Sequence, residues 1–205
     1  MTESKPGRPM STAATDAILA ASAEVLAEEG VERFTIRAVV ARSGASSATV
    51  YRRWPNKASL IVATAELLMS QEIPEPPHAS LYADVTHLVR SLVRVLNDTV
   101  VGGALPYMLH AAQTSPDVAG AVSNWLAGRR AVVERVLATA VARGEARPGL
   151  PFGFGAELLS APVYYRFLVS RAPLDEGFVD THVREFLTWA TVGIRHAPWG
   201  GSPQR

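Results

Sequence analysis

Apolar residues recur at spacings of three and four along most of the chain, and no stretch alternates apolar and polar positions as a half-buried strand would. The pattern predicts an all-α protein of about nine helices. Ile18, Ala21, Val25 and Leu26 share one face of a first helix running from about Ser11 to Glu29. Gly30 follows, where a residue of positive φ ends a helix. Phe34 and Val39 form a hydrophobic staple around an N-cap at Thr35, and Ile36, Val39 and Val40 mark the buried side of a short second helix, about 35–42. Gly44 is the residue best able to turn the chain tightly. Ser46 or Ser47 caps a third helix, about 46–53. Pro55 disfavours helical geometry at Trp54 and ends it. Asn56 caps a fourth helix, with Leu60, Ile61, Leu67 and Leu68 facing inward.

Three prolines in the stretch Pro74-Glu75-Pro76-Pro77 cannot continue a helix, so a domain boundary is expected there. Beyond it Leu81, Val85, Leu88, Leu92 and Leu96 mark a fifth helix. A shorter one spans Leu105 to Gln113. Val118, Val122, Trp125, Leu126, Val133, Val136 and Leu137 mark a long seventh. The last two run over about Phe154–Ser170, with a kink at Pro162, and Glu176–Arg195. The expected organisation is a disordered arm (1–10), a first domain (11–72), a second domain (78–195) and a flexible tail (196–205). The last two helices are apolar on more than one stripe. Leu158, Leu159, Val163, Tyr164, Phe167 and Leu168 show this in one, and Phe178, Val179, Val183, Phe186, Leu187 and Trp189 in the other. A second buried side calls for a partner, and the simplest is another copy of the chain. A homodimer through these two helices follows.

Composition narrows the function classes. With 48% hydrophobic and 19% charged residues, the chain of 205 residues buries a sizeable core and is not disordered over most of its length. It has no cysteine, which excludes a disulfide scaffold, thiol catalysis and thiolate metal sites. No 18-residue apolar run is present and the first ten residues lack an apolar secretory core, so the expected location is cytoplasmic, without a membrane partner. The five histidines, His78, His87, His110, His182 and His196, form no HExxH pair or recognised triad, and no phosphate-binding glycine loop is found. No catalytic residue, metal or cofactor is expected. Net charge is only +1, but it is unevenly placed. Arg33, Arg37, Arg42, Arg52, Arg53 and Lys57 occupy residues 33–57 with no carboxylate among them. Residues 61–205 carry 12 arginines against 13 carboxylates. A local basic segment is either a solvated face or a nucleic-acid footprint.

The helical wheel favours the footprint. Two short helices joined by a glycine turn and followed by a longer one describe a helix-turn-helix. With Val50 and Trp54 inward, Ala48 and Arg52 point outward, Thr49 and Tyr51 lie on the flanks, and Ser46 and Ser47 sit at the N-terminal tip. Small and hydroxyl-bearing tip residues let a helix approach a major groove closely, where Arg and Tyr reach bases and phosphates. Arg42 is read as a solvated or intramolecular charge.

The run from Thr35 to Lys57, TIRAVVARSGASSATVYRRWPNK, with Glu29-Gly30 and Phe34 before it and Leu60-Ile61 after it, resembles the DNA-binding domain of the TetR family of bacterial transcriptional regulators. The resemblance covers about Thr12 to Leu68. Val40, where alanine is common, and Ala45, where valine is common, depart from the pattern. The resemblance implies that Thr35 and Arg37 touch the DNA backbone. Ser46, Ser47, Thr49, Tyr51 and Arg52 would lie on or in the major groove, and Arg53 and Lys57 would bind phosphate, while Trp54 anchors the third helix in the core. Lys5 with Gly7-Arg8-Pro9 is similar to a basic arm that enters the minor groove, the alternative being an ordinary tail. Tyr164 to Leu168 and Asp175 to Val179 resemble the end of the eighth and start of the ninth helix in many members. The family implies a C-terminal domain for dimerisation and ligand binding. His87, Tyr107, Met108, His110, Trp125 and Tyr164 are its candidate pocket lining, although each taken singly reads more readily as core packing, and the effector would be small and hydrophobic. The expected protein is a dimeric repressor of a palindromic operator in double-stranded DNA, nucleoid-associated when bound and released by its effector. The alternative is a helical ligand-binding or scaffolding protein that no longer binds DNA.

Overall fold

The computed structural model describes residues 12–192. The anticipated arm with Lys5 and Gly7-Arg8-Pro9, the end of the last helix to Arg195, and the tail lie outside the described residues. Those residues hold nine α-helices and no strand: α1 Thr12–Arg33, α2 Ile36–Ser43, α3 Ser47–Arg53, α4 Lys57–Glu72, α5 Leu81–Asp98, α6 Val100–Thr114, α7 Pro116–Ala142, α8 Phe152–Tyr164 and α9 Glu176–Val192. A π-helical stretch, Tyr165–Ser170, continues α8.

The chain divides into two compact units. The first takes the N-terminal residues through Pro74 together with Arg94–Leu126; the second takes Glu75–Val93 and the residues from Ala127 on. The N-terminal helices therefore share a unit with α6, which the sequence pattern had assigned to the second domain.

In the first unit α1 packs against α2 and α4, and α6 packs against both α1 and α4. Ile18, Val25 and Leu26 of α1, Phe34, Val39, Val50, and Leu60, Ile61 and Met69 of α4 are all buried. α1 is broken at Gly30, whose φ of 69° and ψ of 174° are not helical, so its regular part ends where the sequence placed it and a separate turn runs on to Arg33. The inner face of α4 is Leu60, Ile61, Thr64, Ala65 and Met69; Leu67 and Leu68 are only half-buried, a correction to the expected stripe. Thr64 and Ser22 are fully buried polar side chains. Thr64 Oγ1 lies 2.7 Å from Ser22 Oγ and 2.8 Å from the Leu60 carbonyl. With a single proton it donates to the carbonyl and accepts from Ser22, so both hydroxyls are satisfied. α6 starts at Val100, five residues before the expected Leu105, because Thr99 caps it through its hydroxyl on Val101 N. A Cβ at Gly102 would collide with the Leu96 carbonyl, so the glycine permits the close turn from α5 into α6. Leu126, expected in the α7 stripe, is exposed.

In the second unit Leu81, Val85, Leu88 and Leu92 form the predicted stripe of α5, and all are buried. They share the core with Val136 and Leu137 of α7, Leu159 and Val163 of α8, and Val179, Val183 and Phe186 of α9. The eighth helix departs from the expected single kinked element. Pro162 has no N–H to give the preceding turn, and from Tyr165 the chain widens to π geometry. Polar ties brace the core. Buried His182 of α9 hydrogen-bonds the Leu159 carbonyl at 2.8 Å. Arg135 holds Glu75 in a bidentate pair at 2.7 and 2.8 Å, which keeps the Glu75 carboxyl below its usual range. Arg147 Nε donates to the Trp189 carbonyl near the end of α9.

Candidate nucleic-acid interface

The reading surface is assembled by caps. Thr35, in extended geometry, accepts from Ala38 N at 3.1 Å and starts α2. Gly44 closes α2 at φ 67°, a left-handed conformation that costs an L-residue energy. The turn is braced by Ser43 Oγ, which accepts from Ala45 N at 3.3 Å. Ser46 then caps α3, accepting from Thr49 N at 3.2 Å, and its hydroxyl lies 2.9 Å from that of Thr49. Trp54 leaves the helix at φ −129°, as Pro55 requires. Asn56 opens α4 through a reciprocal capping box with Ser59, the Ser59 N to Asn56 Oδ1 bond being 2.8 Å.

These caps leave α3 with one side fixed and one side free. Val50 is wholly buried and anchors the helix. Ser46, Ser47, Ala48, Tyr51 and Arg52 are exposed, and Thr49 is half-buried on the flank. Tyr51 is 52% exposed, unusual for a large aromatic on so short an element. Trp54 is half-buried, not the core anchor that the sequence suggested; Val50 holds that place.

The six cations of residues 33–57 have different fates. Arg42 of α2 is held by α1: its guanidinium is 2.6 Å from Glu28 and 3.8 Å from Glu24. The hydrogen bond holds the Glu28 carboxyl below its usual range and raises the guanidinium. Lys57 Nζ donates to the Val31 carbonyl at 2.5 Å and to the Glu32 carbonyl at 3.2 Å, in the last turn of α1. Arg33, Arg37, Arg52 and Arg53 enter no ion pair among the described residues. Arg37 and Arg52 are exposed, as is Thr35 at the start of α2. Arg53 is half-buried, and its Nη1 is shielded from solvent without a hydrogen-bond partner. An unpaired, partly desolvated cation beside an exposed polar helix face is chemically suited to a phosphate.

Comparison with known proteins agrees with this geometry. Residues 18–64 match the family model described as bacterial regulatory proteins, tetR family, and residues 75–186 match the one described as tetracyclin repressor-like, C-terminal domain. The chain belongs to the TetR family. The HTH-type transcriptional regulator YdeS of Bacillus subtilis is 26% identical over 194 residues, 94% of this chain and 96% of that protein. The DNA-binding transcriptional repressor TetR of Mycobacteroides abscessus is 28% identical over 178 residues, 83% of this chain and 90% of that protein. The crystal structure of the TetR family transcription regulator SCO0332 superposes with a TM-score of 0.79 at 29% identity, covering 88% of this chain and 98% of that one. The protein is thus a DNA-binding transcriptional regulator, not an enzyme.

As a TetR-family regulator it also has a C-terminal domain to account for. The six candidate pocket residues fall into both units. Tyr107, Met108, His110 and Trp125 lie in the first, and His87 and Tyr164 in the second. Met108 is fully buried, whereas His110 is exposed. Trp125 is buried, and its indole N–H has no hydrogen-bond partner. Burial pushes the Tyr164 phenol up to about 12 against the opposing charge of Arg129. Tyr107 stands beside Lys57, its ring centre 5.5 Å from the ammonium. Nothing in the sequence signalled that neighbour, because it comes from a helix far along the chain. A groove of about 470 Å³ within the second unit, lined by Tyr82, Thr86, Val183 and Leu187 among others, includes none of the six. No described helix is long and apolar enough to cross a membrane.

Proposed function

We propose that this TetR-family protein is a cytoplasmic repressor that binds a palindromic operator as a homodimer and leaves it when a small hydrophobic effector binds. The observation that carries the DNA-reading part is the free face of α3, with Tyr51 and Arg52 exposed and Arg53 unpaired. In this reading Ser46, Ser47, Thr49, Tyr51 and Arg52 meet the major groove. Thr35 and Arg37 meet the backbone, and Arg53 and Lys57 meet phosphates. Two carbonyls occupy two of the three Lys57 N–H groups, which leaves one for a phosphate oxygen.

The dimer reading rests on α8. Phe154, Leu158, Ala161 and Tyr165 follow one helical stripe, and Val169 continues it; Phe154, Tyr165 and Val169 are 53%, 59% and 67% exposed. An apolar stripe of this kind is suited to a second copy of the same helix pair. Two recognition helices related by a two-fold axis would read half-sites about one DNA turn apart, ~34–36 Å. The effector's chemistry follows from the few polar groups among the candidate lining residues, with His87 and Tyr164 the polar ones in the second unit.

The test is to capture fragmented host DNA on the full-length protein at about 0.15 M salt, where non-specific binding is weak, and to sequence the bound fraction. An enriched palindrome, together with a dimeric mass by light scattering that Phe154→Glu converts to a monomer, supports the reading. A folded dimer that enriches no sequence would overturn its DNA-reading part.

A further inference from the structure

We propose that Tyr107 is a positioning residue for DNA binding: its ring holds the Lys57 ammonium against the last carbonyls of α1, and so ties α6 to the start of α4, just after the recognition helix. The proposal rests on the reading of Lys57 as a phosphate contact. A free lysine is a point charge on a flexible four-carbon stem. Here the ammonium is fixed on three sides within one unit. Two sides are the Val31 and Glu32 carbonyls, at 2.5 and 3.2 Å, in the turn that follows Gly30. The third is aromatic, with the Tyr107 ring centre at 5.5 Å and that of buried Phe34 at 6.0 Å, both within the ~6 Å reach of a cation–π contact.

Phe34 stands between α1 and α2, whereas Tyr107 is the ring that α6 itself brings to Lys57, and α6 packs along both α1 and α4. The Tyr107 phenol is pushed up by burial and by the Glu32 charge, so the ring is neutral at physiological pH. The third N–H of Lys57 is presented from a fixed point only while the ring stays in place. A shift of α6 would then change where a phosphate finds its charge, although α6 itself carries no DNA contact.

The experiment uses full-length protein and four variants: Tyr107→Leu, Tyr107→Phe, Lys57→Met and the Lys57→Met/Tyr107→Leu double. The probe is the DNA fragment enriched in the capture experiment, titrated at several salt concentrations. Tyr107→Leu should weaken binding about three- to tenfold, with the slope of log affinity against log salt unchanged, since no charge is lost. Tyr107→Phe, which keeps the ring, should stay within about twofold of the parent. Lys57→Met should lower the slope by about one, and adding Tyr107→Leu to it should change affinity no further. Equal losses from Tyr107→Leu in both backgrounds, or a phenylalanine variant as weak as the leucine one, would overturn the proposal.

The same variants are unfolded in urea, which needs no DNA. A coupling of about two- to thirtyfold in the unfolding constant supports the tie, and strict additivity overturns it. A chain that bound no DNA at any salt would defeat the underlying reading of Lys57, while the urea cycle would still decide on the tie.

Discussion

Replacing Thr64 with valine should destabilise the DNA-reading unit although the shape of the side chain is kept. Thr64 and Ser22 are both fully buried and lie where α4 crosses α1. Thr64 Oγ1 gives its proton to the Leu60 carbonyl at 2.8 Å and receives that of Ser22 at 2.7 Å. Valine removes the acceptor and leaves the Ser22 hydroxyl buried without a partner, which costs about 1–3 kcal/mol. Ser22→Ala is milder, about 0.5–1.5 kcal/mol, because Thr64 keeps its carbonyl bond. The double variant removes both groups, so it should be more stable than the sum of the single losses by about 1 kcal/mol. Against a total stability of roughly 5–15 kcal/mol these differences are readable as shifts in urea midpoint at constant slope. A Thr64→Val protein as stable as the parent, or a double variant equal to the sum of the singles, would refute the assigned direction of the hydrogen bonds.

Further expectations follow from the same geometry. Gly44→Ala forces an L-residue to φ near 67° and should cost about 1–2 kcal/mol; Gly44→Asn should recover part of it, which thermal melts of the pair will show. Arg42→Ala should leave DNA affinity and its salt slope nearly unchanged, because Glu28 and Glu24 already hold the guanidinium. Arg53→Ala should lower the slope by about one, and equal slopes for the two variants would contradict the division of cations. Burial pushes the Tyr164 phenol in the folded state up from its ordinary 10.0 to about 12. Its contribution to stability is therefore complete below pH 10 and is lost as the pH rises toward 12. Tyr164→Phe should remove that high-pH loss, and an unaltered alkaline unfolding profile would count against it.

What was legible in the sequence was local. The caps at Thr35, Ser46 and Asn56 and the turn at Gly44 are decided by side chain and backbone within three residues of each other, and the structure has each of them. The stripe of α5 was equally plain, since five leucines and valines at helical spacing leave one phase. Phase was harder in α4, where apolar residues lie on several faces and the contact with α1 selects Thr64, Ala65 and Met69 over Leu67 and Leu68. The start of α6 was hidden because Gly102-Gly103 and Pro106 weaken the helical pattern, and burial of Val101 and Leu105 outweighs their cost. Tertiary partners were not legible at all. The Arg42 ion pairs with Glu24 and Glu28, the Lys57 bonds to α1 and the Tyr107 ring beside it join residues whose proximity only the folded chain creates. These contacts divide the basic segment into cations already engaged and cations without an ion pair. The sequence alone set Arg42 apart as a solvated or intramolecular charge but named no partner for it, and it assigned Lys57 to phosphate without its bonds to α1.

Whether the exposed face of α3 reads bases is decided by fluorescence anisotropy at about 0.15 M salt, with parent and Tyr51→Ala proteins titrated onto the captured fragment and onto a scrambled fragment of equal length. The parent should prefer the captured fragment, and Tyr51→Ala should lose most of this preference while still binding both weakly through its arginines. A Tyr51→Ala protein that discriminates as well as the parent would place base reading elsewhere and contradict this expectation.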